Sequence, residues 1–416
     1  MLELFKGNKM FRRFLVYGVL SALGGGIFQI FMLLSIHLLY ENPIYTGIAG
    51  ALIALPHIFA FAVGPVVDRR NKVSIMRITI VLEFIPLALL AFTPLLENIG
   101  IMFMFAVIIT YSVARLFEGS ASGALLPQLV KSDELMKANS FANLIAMSGG
   151  LLVAVALFFV LGDVTDFSLV YGASAGLLVI AFLFSLLLKD PAEKGDGKLK
   201  EKIDYIKDLK IGGKFVVGNA LLFFLVATVA LSFVGEVAYV NRPEFFEYHV
   251  GSQGYIVFTT LVLVGGIVAS ALTGAMGQKI KIGPMIFIVL LIVGFMRIAI
   301  TLILPYNFGV ALTFQILAAA FGTVFGLVIN SYMQKITPKD MMGRVGSIFT
   351  TPAAMITVLG ALVGGFVGSM IYAVDYIFIF QGVSYIALGI FLVLIPKIRK
   401  LPKINDIESP DNPETE

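Results

Sequence analysis

The chain has 416 residues, of which 59% are hydrophobic and only 13% charged, with a mean hydropathy of +0.96 and a formal charge of +4. A soluble domain is about 45–50% apolar and about 25% charged, so no water-soluble fold can hide this much apolar surface. The small positive charge reflects basic residues retained on one membrane face rather than a nucleic-acid surface, and the lack of cysteine excludes disulfides, thiolate metal sites and cysteine nucleophiles.

The N-terminus carries Lys6, Lys9, Arg12 and Arg13 before an apolar run, as a signal peptide would. That run continues to about residue 39, too long for a cleaved segment, and is read as the first membrane helix. A bilayer needs about 20 apolar residues per helical crossing. On that measure the chain makes twelve crossings: 14–39, 45–66, 73–95, 101–122, 140–161, 167–188, 215–240, 255–276, 284–304, 308–332, 345–372 and 376–395. Arg115 and Glu118 interrupt the fourth, but leaving it out would invert the charge pattern of everything downstream.

All of the thirty Lys and Arg residues except Arg115, Arg242 and Arg297 fall at the termini or in or beside every second gap. Basic flanks stay on the cytoplasmic side, so both termini are expected there. The other gaps carry Glu41, Glu97, Asp163, Asp166, Glu244, Glu247 and Asp375. The expected fold is an all-α membrane protein of twelve transmembrane helices in two pseudo-symmetric six-helix bundles, 1–188 and 215–396. A cytoplasmic linker spans 189–214 and a cytoplasmic tail 397–416. In the linker Leu199, Ile203, Ile206 and Leu209 follow a helical spacing, which suits either a short amphipathic helix on the inner leaflet or a solvated connection.

Two echoes support duplication. Residues 64–72 (GPVVDRRNK), after the second run, match 274–281 (GAMGQKIK), after the eighth; 132–137 (SDELMK) match 338–344 (PKDMMGR). Each pair sits at equivalent positions in the two halves. With these motifs the chain resembles the major facilitator superfamily over essentially its whole length. The segments LLPQLVKSDELMKANS and PKDMMGRVGSIF are similar to its drug and macrolide efflux branch. The resemblance implies the major facilitator fold and a secondary active transporter of the bacterial cell membrane, moving a small-molecule substrate by alternating access. Protons and the lipid bilayer are its other partners; a monomer without cofactors is expected.

The resemblance also gives Asp68 and Arg69 the role of a latch between the halves. On the residues themselves, Asp68 is the one acid among Arg69, Arg70 and Lys72, and Gly64 would let the second helix approach a neighbour closely. The second copy has Gln278 where the acid would stand. A plain basic loop with a turn acid is the alternative.

Charges within membrane runs are costly, about 2.5–3.5 kcal/mol on insertion scales, and are therefore site candidates. Glu83 in the third run and Arg115 in the fourth, antiparallel run could meet at one depth. Glu83 is read as a proton carrier with Arg115 as its modulator; a purely structural ion pair is the alternative. Arg115 to Gly119 also resembles the Arg-x-x-x-Gly element linked in superfamily exporters to proton transfer. Glu118 is read as an interfacial acid near the loop. Arg297 is expected to snorkel outward and Glu236 to lie near the outer surface. Gln29, His57, Asn219, Glu236, Arg297 and Gln315 are the candidate substrate-lining groups; the alternatives are helix–helix hydrogen bonding for Gln29, Asn219 and Gln315, packing for His57, and a solvated or snorkelling position for Glu236 and Arg297.

The 36 Phe and 16 Met residues favour a bulky apolar cargo. The fifth run, MSGGLLVAV, lacks the Gly-Pro step of antiporters. No phosphate-binding loop is present, so ATP-driven transport is not expected, and three scattered histidines give no zinc site and no enzyme. The expected activity is proton-coupled export of amphipathic compounds. Export of a defined metabolite, such as a metallophore or lipid, and a membrane sensor that moves nothing are the alternatives.

Overall fold

A backbone crossing hydrocarbon must satisfy its own amides, and a helix does so within one segment. The computed structural model describes residues 7–68, 70–92, 100–130, 167–190, 213–217, 221–276, 281–337, 342–370, 374–403 and 406–407. They form α1 (Lys9–Tyr40), α2 (Pro43–Ala54), a 3-10 turn (Leu55–Phe59), α3 (Ala60–Asp68), α4 (Lys72–Ala91), α5 (Ile101–Leu129) and α6 (Phe167–Ser185). After these come α7 (Leu221–Val240), α8 (Arg242–Met276), α9 (Ile282–Ile303), α10 (Phe308–Ile336), α11 (Met342–Met370), α12 (Asp375–Leu394) and α13 (Pro396–Arg399). Among the described residues ten helical stretches are long and apolar enough to cross a membrane, and Phe224–Val240 is a shorter apolar helix. The predicted crossing at 140–161 and the central linker at 191–212 lie outside the described residues.

Several predicted boundaries shift for identifiable reasons. The second crossing is one helix in the sequence reading. Pro56, which has no amide hydrogen to donate, instead breaks it into α2, the 3-10 turn and α3. The fourth extends to Leu129, passing through Pro127. The loop expected before the eighth crossing is helical from Arg242, and the chain bends only at Gly251, whose φ of 72° an L side chain rarely adopts. Asn8, Asn42, Asn71 and Asn307 cap α1, α2, α4 and α10, each side chain accepting a first-turn amide. The segment expected to be a free tail starts by folding back: Ile282 N–H donates to the Pro402 carbonyl at 3.1 Å, and Ile398 is buried in the second bundle.

The chain divides into two compact units, Met1–Glu201 and Lys202–Glu416. In the first, α4 packs on both α5 and α6, α1 on α6, and the α2–α3 stretch on α5. In the second, α9 packs on both α10 and α12, α7 on α12 and α11, and α8 on α10. Shifting the first scheme by six crossings reproduces the second, so the two bundles share one packing plan.

Small residues set the closest crossings. A Cβ at Gly294 of α9 would come within 2.6 Å of the Gly382 carbonyl of α12, and one at Gly382 within 2.7 Å of the Gly294 carbonyl. On α11, Gly360 and Gly364 lie against the α7 backbone at Phe233 and Val237. We expect Gly294→Val and Gly382→Val each to lower stability by about 1–3 kcal/mol through overpacking, read as a lower melting temperature of the purified protein. Gly26→Ala, where a Cβ meets nothing within 4 Å, should leave the melting temperature unchanged.

Candidate functional site

The first bundle gathers its intramembrane charges around one guanidinium. Glu83 lies about 16 Å from the start of α4, and Arg115 about 21 Å from the end of the antiparallel α5, at 1.5 Å of rise per residue. The two side chains therefore meet: Arg115 Nη1 is 3.5 Å from Glu83 Oε2. The same nitrogen is 3.6 Å from Glu118 Oε2, one turn further along α5, and donates to Ser21 Oγ of α1 at 2.8 Å. Glu83 is fully buried, and neither of its oxygens has a hydrogen bond among the described residues.

The walls of this cluster follow from helical spacing. Tyr17 and Ser21 stand four residues apart on α1, as do Tyr111 and Arg115 on α5, so each pair shares a face. Both tyrosine hydroxyls are buried without a hydrogen-bond partner among the described residues. The Tyr111 ring stacks on Phe28 with centroids 3.8 Å apart. Gly25 makes the approach possible: a Cβ there would lie 2.7 Å from the Tyr111 hydroxyl and 3.2 Å from the Arg115 guanidinium carbon.

Two expectations change here. Glu118, read as an interfacial acid, is buried beside Arg115, because α5 runs to Leu129 and leaves it about 16 Å from the helix end. Gly64, read as a close-contact position, faces open space: a Cβ there meets nothing within 4 Å. Asp68 closes α3, but its side chain, Arg69 and Asn219 lie outside the described residues. Gln29 and His57 are exposed and take no part in the charge cluster. Tyr17, Ser21, Tyr111 and Glu118 were missed as site members. The available signals were the Arg115–Glu118 spacing and the Gly24-Gly25 pair opposite bulky residues.

In the second bundle Arg297 does not snorkel outward. It turns inward, and its Nη1 donates to Gln315 Oε1 of α10 at 2.8 Å. Two candidates placed in separate helices thus form one contact. Glu236 of α7 is half-buried at the α11 crossing, its Cβ 3.2 Å from where a Cβ of Gly360 would be. Among the described residues, no group of three or more His, Asp or Glu side chains could hold a metal ion.

The sequence profile of the Major Facilitator Superfamily matches residues 14–352. No curated protein matches the sequence significantly. Among solved structures the fold is similar to that of the nucleoside transporter NupG, with a TM-score of 0.70 and 14% identity over 93% of this chain and 98% of the other. It is also similar to a D-xylose-proton symporter, with a TM-score of 0.71 and 15% identity over 96% and 98%. The inward open xylose transporter XylE from E. coli matches at a TM-score of 0.67 and 15% identity over 92% and 95%. Identities of this size speak for the fold alone. The superfamily profile covers most of the chain, and ten of the described helical stretches are apolar and membrane-length. The protein is therefore a multi-pass membrane transporter, not an enzyme, and it belongs to the Major Facilitator Superfamily.

Proposed function

We propose that the protein is a proton-coupled exporter of amphipathic small molecules, of the drug and macrolide efflux kind, acting as a monomer in the bacterial cell membrane with both termini cytoplasmic. The observation that carries this reading is the fully buried Glu83 carboxylate, which shares the Arg115 nitrogen with Glu118 at 3.5 and 3.6 Å. With both acids ionised, one guanidinium faces two carboxylates and the cluster holds an excess negative charge within an apolar span. A proton taken up by Glu83 removes that excess, and its release restores it. Arg115 keeps the remaining carboxylate paired, and the adjacent tyrosine hydroxyls can turn to donate or accept.

Asp68 and Arg69, with Gly64 in the same motif, form the gating loop in this reading. Gln29 and His57 have exposed side chains that can meet cargo, and Asn219 and Glu236 remain candidates for the same role. Arg297 and Gln315 are already engaged with each other.

Outward pumping of a lipophilic dye from membrane vesicles should collapse when an uncoupler dissipates the proton gradient. Glu83→Gln should abolish the pumping while the protein still inserts. Pumping that ignores the uncoupler would overturn the mechanism, and inhibition by polar metabolites but not by lipophilic drugs would overturn the cargo class. The ion pair makes a separate stability prediction. Arg115→Met should cost about 3–5 kcal/mol by stranding a buried acid, measured as a lower melting temperature. Adding Glu83→Met should recover part of that loss; a double variant less stable than Arg115→Met would show that Glu83 is not what Arg115 compensates.

A further inference from the structure

A second basic centre lies wholly within the second bundle and plays no part in the charge cluster around Arg115. Arg242, in the first turn of α8, and Arg297, about 9 Å from the end of α9, open into one pocket together with Gln315 and Thr301. Among the described residues no carboxylate lines that pocket.

The hydrogen bonding there is lopsided. Arg297 spends one nitrogen on the neutral Gln315 amide at 2.8 Å, and its Nε is buried without a partner among the described residues. A guanidinium has five donors and no acceptor, and an amide oxygen satisfies one of them without offsetting the charge. The Thr301 hydroxyl donates to the Arg297 backbone carbonyl at 3.0 Å, and the Arg297 Nε still has no hydrogen-bond partner among the described residues.

Arg242 and Arg297 act on each other as like charges. The acid that acts on Arg242 is Glu236, from α7 and outside the pocket lining.

The remaining wall is aromatic. Phe245 of α8 stacks on Phe378 of α12 with centroids 4.1 Å apart, and both border the pocket. Beside that stack, His249 Nε2 and Asp375 Oδ1 are 2.7 Å apart, tying the first segment of α8 to the start of α12.

We propose that this pocket binds a monovalent anion, either a halide or the carboxylate of a small organic acid, between the Arg242 and Arg297 guanidinium groups. The anion supplies the acceptor that Arg297 Nε lacks and lies against two guanidinium groups. The assignment does not depend on export or on proton coupling.

The test uses the purified full-length protein at constant ionic strength, with gluconate as the reference anion. Chloride, bromide or acetate should raise the melting temperature saturably, by about 3 °C at a hundredfold excess over Kd. Radiolabelled chloride should bind the wild type saturably and be displaced by acetate if one site serves both. Stabilisation by acetate without chloride binding assigns the site to a carboxylate; chloride binding indifferent to acetate assigns it to a halide.

Arg297→Gln should abolish the effect, and Arg242→Gln should weaken affinity at least tenfold. If Arg297→Gln does not fold, Arg242→Gln and the wild-type titrations decide the matter. Equal melting temperatures in gluconate, chloride and acetate, with no saturable chloride binding, would overturn the proposal. So would anion stabilisation of the same size in wild type and Arg297→Gln.

Discussion

Hydrocarbon offers no water to take up an unmade hydrogen bond or to solvate a bare charge, and this constraint shapes each bundle. The helices satisfy their own interiors, so the unsolved groups are concentrated at the helix ends and at the few polar side chains. In the first bundle the ends solve one another. Arg77 of α4 donates to the carbonyls of Ser185 and Leu188 at the close of α6, at 3.1–3.3 Å, where the helix dipole favours a cation. In return Asp190, just past α6, accepts the first amide of α4, Lys72 N–H, at 2.6 Å. Asn8 serves two ends, capping α1 and donating to the Leu129 carbonyl at the close of α5 at 2.7 Å.

With the ends settled, the helices can approach as closely as their side chains allow. Lipid supplies no hydrophobic drive for that approach, so contact depends on fit. The reciprocal Gly294–Gly382 contact and the Gly360–Gly364 pair on α11 are close backbone meetings in which each glycine stands against a carbonyl. Gly18, Gly26 and Gly64 meet nothing. The same residue type thus does two unrelated things, and only its neighbours distinguish them.

The two bundles then treat their buried arginines differently. Arg115 is flanked by two carboxylates and a serine hydroxyl. Arg297 donates to the Gln315 amide and shares a pocket with a second arginine, with no carboxylate among the described lining residues. One packing plan recurs in both bundles, while the side chains placed in it set two different electrostatic problems.

Much of the fold was legible in the sequence because the bilayer imposes a length and a polarity on every segment. The comb of Lys and Arg residues separated the apolar runs and gave their number. Most observed helices begin and end within a few residues of those runs, and the largest departures follow from Pro56 and from helical continuation past Ser122 and before Tyr255. A similar depth for Glu83 and Arg115 was legible in two antiparallel runs, but their contact at 3.5 Å was not. What the sequence could not supply was rotation about the helix axes. That rotation brings Glu118, Ser21, Tyr17 and Tyr111 to the same guanidinium, turns Arg297 inward to Gln315, and leaves Gly64 without a neighbour. Depth is a property of one helix counted from its end, so spacing alone determined it. Azimuth depends on how several helices pack together, and only the tertiary structure decided it.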